Sequence, residues 1–98
     1  MPISHANKTP QDVAKFADMF AAMGTEPRLR IMQLLLSAHP EGLVVNEIQS
    51  ELDIPNSTLS HHLGKLRAAG IVDSERKGLW AYYYVLPDAL EELSAWLN

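Results

Sequence analysis

Three leucines at helical spacing are the feature of this sequence that most constrains its fold. Residues 56–72 read NSTLSHHLGKLRAAGIV, in which Leu59, Leu63 and Leu66 stand at positions i, i+4 and i+7. This spacing places them on one side of a helix. Gly70 follows them, and glycine is the residue type most common just beyond a helix end. The row therefore predicts an amphipathic helix whose leucine side is buried and whose opposite side stays exposed.

The segments around this helix predict a winged helix-turn-helix domain. Apolar spacing and breaker residues delimit them. The predicted elements are helices over 11–23, from Thr25 and from Asn46, then the leucine helix, a hairpin over 71–85 and a last helix over 87–98. The short helix, turn and leucine helix over 46–70 form the helix-turn-helix, and the hairpin is its wing. The predicted fold class is mainly α with a small β-hairpin, in the order α-α-(β)-α-α-β-β-α, as one domain over 1–98.

Several local features are predicted with these elements. Thr25 is a candidate N-cap with Pro27 in the first turn, and Asn46 is a candidate cap of the third helix. Arg76, Lys77 and Gly78 form the predicted hairpin tip. The apolar sides predicted for the second and third helices consist of Leu29, Met32, Leu35, Leu36, Ile48 and Leu52.

The exposed side of the leucine helix has the composition of a DNA-reading surface. A helix turns by roughly 100° per residue, so Ser57 and His61 lie opposite the leucines, and Thr58, Ser60 and Lys65 lie on the shoulders of that face. Hydroxyl and imidazole groups exchange hydrogen bonds with base edges, and lysine neutralises phosphate. At the wing, Arg76 and Lys77 are expected to contact phosphates or an adjacent minor groove. The simpler interpretation is a solvated polar face and an ordinary charged turn.

The two adjacent histidines are a poor metal pair. Ligands on one helix converge at i, i+3 or i, i+4 spacing, whereas His61 points outward and His62 is predicted to be a half-buried packing residue. The chain has no cysteine, and its four histidines, which include His5 and His39, form no cluster in the sequence. No nucleophile, base and orienting group form a recognisable motif. We therefore expect neither an enzyme nor a metal or other cofactor.

Charge and hydropathy fit a cytoplasmic DNA-binding protein. The net charge is −4, yet four basic residues outnumber two acids between positions 56 and 78. DNA binding requires a local basic surface, not a basic protein. The first residues lack the apolar core of a signal peptide, and the longest apolar run is too short to span a bilayer. We expect a cytoplasmic protein without membrane contact.

Three segments together resemble the ArsR/SmtB family of bacterial transcriptional repressors. They are AAMGTEPRLRIMQLLL, NEIQSEL and STLSHHLGKLRAAGIVDSERKGLWAYYYV, and they are typical of that family in their order and spacing. The resemblance implies a homodimer that binds a palindromic double-stranded operator and is released by an inducer. It also implies that Ser57, Thr58, Ser60 and His61 read the DNA.

The sequence departs from the metal-sensing members of that family. Val44 and Asn46 stand where those members place thiolates, and the last helix, LPDALEELSAWLN, has no histidine for the second known type of site. The inducer stays open between an arsenic-type ion, with thiols beyond the C-terminus, and a non-metal signal.

The first and last helices carry apolar stripes that predict a homodimer interface. A small core would have difficulty covering both stripes. They consist of Val13, Phe16 and Phe20 on the first helix and Leu90, Leu93, Trp96 and Leu97 on the last. The alternative is that both stripes fold onto their own domain. The alternative function is a winged-helix protein-interaction module that does not bind DNA.

Overall fold

The computed structural model describes residues 9–98, and within this range it contains five helices and three strands. The elements are α1 (Pro10–Met23), α2 (Glu26–Ser37), β1 (Leu43–Val44), α3 (Val45–Leu52), α4 (Asn56–Ala68), β2 (Val72–Lys77), β3 (Trp80–Val85) and α5 (Pro87–Leu97). The order and type of these elements confirm the predicted winged helix-turn-helix. His5 lies outside the described residues. Over residues 9–98, no helix combines the length and hydropathy needed to cross a membrane.

Side-chain caps fix where the first helices begin. Thr9 and Asp12 form a reciprocal box at α1, in which the Thr9 hydroxyl accepts from the Asp12 N–H at 3.1 Å. Thr25 caps α2 as predicted and accepts from the Arg28 N–H at 3.4 Å. The prediction for Asn46 was wrong, because this residue lies inside α3. The helix begins at Val45, and Val44 occupies the cap position. The Val44 N–H donates to the Glu47 carboxylate at 3.0 Å.

The leucine side of α4 lies at the centre of the core, as predicted. Leu59, Leu63 and Leu66 are 0%, 2% and 0% exposed, and α4 packs against α1, α2, α3 and β2. Burying a leucine side chain contributes about 1.5–3 kcal/mol, so this row holds α4 firmly in place. Gly70 follows with a φ of 76°, which is the left-handed conformation expected beyond a helix end.

The predicted apolar side of α2 was partly wrong. Ile31, Met32 and Leu35 are buried, whereas Leu29 and Leu36 are 59% and 44% exposed. The segment RLRIMQLLL carries apolar residues on several sides of the helix, so spacing alone does not single out the side that packs. Ile48 of α3 is buried and Leu52 is half-buried, as predicted.

The wing is a three-stranded antiparallel sheet in the order β1-β3-β2. Its tip differs from the prediction, because Arg76 and Lys77 belong to β2, where they pair with Ala81 and Trp80. The turn consists only of Gly78 and Leu79. Such a two-residue loop is the commonest hairpin connection, and it lets strand pairing continue through Lys77.

Candidate nucleic-acid interface

The polar side of α4 is exposed along its whole length. The exposed residues are Ser57, Thr58, Ser60, His61 and Lys65, the five side chains of α4 predicted to contact DNA. They lie opposite the buried leucines, so the packing of the core determines which groups α4 presents. The helix itself contains no acidic residue. The exposed side of α4 therefore presents hydrogen-bonding groups and positive charge, and the helix has no carboxylate that would repel a polyanion.

The N-terminal end of α4 adds to this surface. Pro55 occupies the cap position, so no side-chain hydrogen bond caps the helix, and the first turn holds no acid. By contrast, the first turns of the other four helices described within residues 9–98 each hold an acidic residue. Backbone N–H groups at a helix start attract anions. The first turn of α4, where Ser57 and Thr58 lie, is thus compatible with a phosphate nearby.

An ion pair joins α4 to the wing. Arg67 Nε, near the end of the helix, lies 3.2 Å from the Asp73 Oδ1 atom of β2, and both side chains are about half exposed. A pair of this exposure contributes at most about 1 kcal/mol. Together with the packing of α4 against β2, it fixes the direction of the hairpin relative to the helix.

The basic residues of the wing lie on opposite faces of the hairpin. Successive side chains of a strand alternate between faces, so Arg76 shares a face with the buried Val72 while Lys77 lies on the outer face. Lys77 Nζ is 5.4 Å from the ring centroid of Tyr82, which lies on that outer face. Both basic side chains are exposed. The structure thus brings two cations to the last residues before the turn, one on each side.

His61 and His62 differ in environment, as predicted. Their ring centroids are 5.8 Å apart, and His61 is exposed whereas His62 is half-buried. Burial lowers the pKa of His62, with smaller electrostatic contributions from the neighbouring Arg28 and His61 side chains. Its Nδ1 atom is buried without a hydrogen-bond partner among the described residues. The lowered pKa favours the neutral imidazole, and the half-buried His62 packs beneath the exposed face of α4.

No metal site is evident in the part of the chain that the structure describes. Within residues 9–98, no group of three or more histidine, cysteine or acidic side chains is arranged to hold a metal ion.

The residues predicted for the dimer interface fall into three groups. Val13, Phe20 and Leu97 are 49%, 43% and 61% exposed. Phe16 and Leu93 are only 5% and 8% exposed, because their own chain covers them, and they have little surface left for a partner. The two remaining predicted residues, Leu90 and Trp96, are half-buried. Both stripes thus serve the chain's own core and also leave apolar side chains on the outside.

Contacts between α1 and α5 hold these two helices together. The rings of Phe16 and Trp96 lie 4.9 Å apart between centroids, and Lys15 Nζ lies 2.8 Å from the Glu92 Oε2 atom. These contacts place α1 beside α5 and bring the two apolar stripes together at Phe16 and Trp96.

Two further groups of exposed apolar residues were missed from the sequence. Leu29 and Leu36 of α2 line a groove of about 390 Å³ that Met23 and Leu90 also line. This groove therefore reaches both terminal helices. The second group is at the wing tip, where Leu79 is 88% exposed and Trp80 52% exposed. The sequence signal was present in GLW, but the apolar run LWAYYYV was interpreted as a strand from its first residue.

Comparison with protein families and curated relatives agrees with this geometry. A family model described as a helix-turn-helix domain matches residues 23–75. An uncharacterized HTH-type transcriptional regulator of Methanocaldococcus jannaschii, MJ1325, is 40% identical over 79 residues, which cover 81% of this chain and 86% of the relative. The arsenic resistance transcriptional regulator ArsR1 of Pseudomonas putida is 35% identical over 80 residues, which cover 82% of this chain. The match spans only 61% of that regulator's own length.

Solved structures show the same architecture. The homodimeric winged helix-turn-helix DNA-binding domain of Mb0332 from Mycobacterium bovis, a possible ArsR-family transcriptional regulator, is similar with a TM-score of 0.74 and 26% identity. The similarity covers 99% of this chain and 86% of that domain. The transcriptional repressor PagR of Bacillus anthracis is similar with a TM-score of 0.75 and 29% identity, over 92% of this chain and 100% of that one.

Proposed function

This chain belongs to the ArsR family of winged helix-turn-helix transcriptional regulators, and from that premise we propose that its homodimer represses transcription by placing α4 in the major groove of a palindromic operator. As a member of this family it is a DNA-binding regulator. The comparisons give no support to the alternative, a protein-interaction module that does not bind DNA. The palindromic operator, the residues that read it and release by an inducer are parts of this proposal.

The observation that carries the proposal is the two-sided structure of α4. Three fully packed leucines hold the helix from beneath, and its other side presents small polar groups without a single carboxylate. A major groove admits an α-helix, and the first residues of the helix usually contact base edges. The chain has a net charge of −4, so a helix face that contacts only solvent would be expected to carry some acidic residues. Their absence from α4 favours a polyanionic partner.

Each exposed residue then has a role that follows from its chemistry. Ser57, Thr58, Ser60 and His61 exchange hydrogen bonds with base edges or nearby phosphates. The cations contact the backbone on either side of the groove; they are Lys65, Arg76 and Lys77. Acting as a unit, α4 and the wing would cover one operator half-site.

Dimerisation would present two such units to one duplex. We propose that Val13, Phe20 and Leu97, with the half-buried Leu90 and Trp96 beside them, contact a second copy across a two-fold axis. The groove lined by Leu29 and Leu36 continues this surface. A two-fold dimer places its recognition helices about 34–36 Å apart, which is one turn of DNA.

Release by an inducer requires a signal that this sequence can detect. The Pseudomonas relative is an arsenic resistance regulator, but the 98 residues of this chain contain no cysteine to supply a thiolate. A thiolate site would have to draw its ligands from outside these residues. Whatever its chemistry, an inducer acts only if it binds the DNA-incompetent arrangement more tightly than the competent one.

Salt dependence tests the proposal directly. The probe is a duplex that the protein itself selects from a random-sequence library, and binding is followed by fluorescence anisotropy at increasing salt. The affinity should fall steeply, because phosphate contacts release counterions. Arg76→Ala should reduce the slope of log K against log salt by roughly 2 for the dimer, since each lost phosphate contact removes about 0.9.

The control for this measurement is His39→Glu, which lowers the formal net charge by the same one unit at an exposed position in the turn after α2. It should leave the slope unchanged. Binding that hardly responds to salt, or an equal effect of the two substitutions, would contradict the proposed role of the wing. Failure to select any sequence from the library would overturn the function itself.

The dimer surface has its own test in Phe20→Glu. This substitution places a carboxylate on the exposed apolar surface of α1, and burying an unpaired charge in an interface is strongly unfavourable. The dimer dissociation constant should rise by about 100-fold or more, as measured by sedimentation equilibrium. Leu79→Glu makes a similar change at the wing and should leave the dimer intact. A dimer unaffected by Phe20→Glu would place the interface elsewhere.

A further inference from the structure

The tip of the wing presents a leucine to solvent. Leu79 is 88% exposed, the highest value among the large exposed apolar side chains of residues 9–98. The two-residue turn does not require it, because such turns favour glycine, asparagine or aspartate. The neighbouring Trp80 is 52% exposed. An apolar tip of this kind gains free energy when a partner removes it from water.

The charges around the tip indicate which partner would do so. Arg76 and Lys77 precede the turn and lie on opposite faces of the hairpin, so each face carries one cation close to the turn that holds Leu79. The nearest acid on β2, Glu75, pairs with Tyr82 one step further from the turn than Arg76. An apolar group next to two cations complements a narrow groove that has anionic walls and stacked rings between them. The minor groove of DNA has phosphates on both rims, and apolar side chains can enter between its base steps.

The position of the hairpin is consistent with this partner. The Arg67–Asp73 ion pair and the packing of α4 on β2 hold the wing to the recognition helix. A strand of six residues such as β2 spans roughly 17–20 Å. The major groove is about 12 Å wide. A hairpin that starts beside α4 is therefore long enough to carry its tip across one phosphate backbone to the adjacent minor groove.

We propose that Leu79 enters the minor groove beside each half-site and acts as an apolar wedge against one base step. Apolar side chains used in this way partly unstack the step and bend the duplex. Pyrimidine–purine steps such as TA open most easily, so the wedge makes the wing selective for sequence without a hydrogen bond to any base. The inference rests on the proposed function, because it requires α4 to occupy the neighbouring major groove.

The test compares Leu79→Ser with Leu79→Met. Serine removes the apolar wedge and methionine retains one, and both changes lie at an exposed tip where the fold should tolerate them. The probe is the duplex selected by the unmodified protein, with 2-aminopurine at the step nearest the wing. A second probe replaces that step with AA. Affinity is measured by anisotropy, unstacking by 2-aminopurine fluorescence and bending by energy transfer between the duplex ends.

We expect the unmodified protein and Leu79→Met to raise the 2-aminopurine fluorescence, bend the duplex and prefer TA over AA. Leu79→Ser should bind the TA duplex roughly five- to fiftyfold more weakly and should lose both the bend and the preference for TA. If Leu79→Ser binds and bends the selected duplex like the unmodified protein, the wedge is refuted, and the apolar tip serves another partner such as a protein. That result would leave the proposed function standing, whereas failure of the unmodified protein to select any duplex would remove both.

Discussion

Replacing Gly42 with alanine is expected to be among the most destabilising single changes in this chain. A β-carbon at this position would collide with the backbone carbonyl of Tyr83 and lie 2.9 Å from the β-carbon of Tyr84. The residue also has a φ of 81°, which is unfavourable for any residue with a side chain. We expect a loss of about 3–5 kcal/mol in the free energy of unfolding, the sum of backbone strain and overpacking.

Such a loss is large beside the roughly 5–15 kcal/mol that stabilises a typical domain. Its cause is local, because Gly42 leads directly into β1 and lies against β3, to which β1 is paired through Leu43 and Val44. Urea unfolding followed by circular dichroism measures the effect. Because Gly42→Ala would separate β1 from β3, it should also loosen the wing. The variant should therefore bind DNA more weakly even under conditions in which it is folded.

Gly70→Ala is the matched control. Gly70 has a similar φ of 76°, but a β-carbon there would meet no other atom within 4 Å. Gly70→Ala should therefore lower the free energy of unfolding only through backbone strain, by about 1–2 kcal/mol. Equal losses for the two variants would show that the close approach of Gly42 to β3 does not matter.

His61→Glu is expected to have the largest effect on DNA binding without harming the fold. The side chain is exposed on the polar side of α4, so the change should hardly affect stability. A glutamate there removes the imidazole contact and brings a negative charge towards the phosphates. We expect the affinity for the selected duplex to fall by about 30- to 300-fold, since one good base contact contributes about 1–3 kcal/mol and repulsion adds to the loss.

Two further variants separate the causes of that loss. His61→Ala removes the contact without adding charge and should lose about five- to fiftyfold in affinity. His39→Glu makes the same substitution at an exposed position in the turn after α2 and should have almost no effect. If His61→Glu binds DNA as well as His39→Glu does, His61 does not face the duplex.

The parts of the fold that spacing constrains uniquely could be predicted from the sequence. In α4 the three leucines lie on one side of a helix that is otherwise mostly polar, so only that side could pack against the core. The residues on the opposite side could therefore be predicted to be exposed. In α2 this reasoning fails, because RLRIMQLLL is apolar on several sides, and only tertiary packing selects Ile31 over Leu29. The cap of α3 failed for a different reason. Glu47 reaches back to Val44 and fixes the helix start without the residue type expected at a cap.

The candidate site shows the same division. The positions of the leucines were enough to predict which residues of α4 are exposed. The positions of the wing residues could not be predicted in this way, because they depend on the length of the turn, which no single residue determines. Spacing identified apolar stripes on α1 and α5, but it could not show that their own chain covers Phe16 and Leu93. Nor could it show that Leu79 projects from the tip, since an isolated leucine in an apolar run resembles any strand residue.

The most direct test of the account places a DNA-cleaving group at the start of α4. Because the chain contains no cysteine, Asn56→Cys can carry a single iron chelate beside the reading residues, and Ser94→Cys on α5 serves as the control. On the selected duplex, we expect the Asn56 conjugate to cut both half-sites, at two positions about one helical turn apart, and the Ser94 conjugate to cut neither. Cleavage by the Ser94 conjugate alone, or no localised cleavage from Asn56 on a duplex that the protein binds, would contradict the placement of α4 in the major groove.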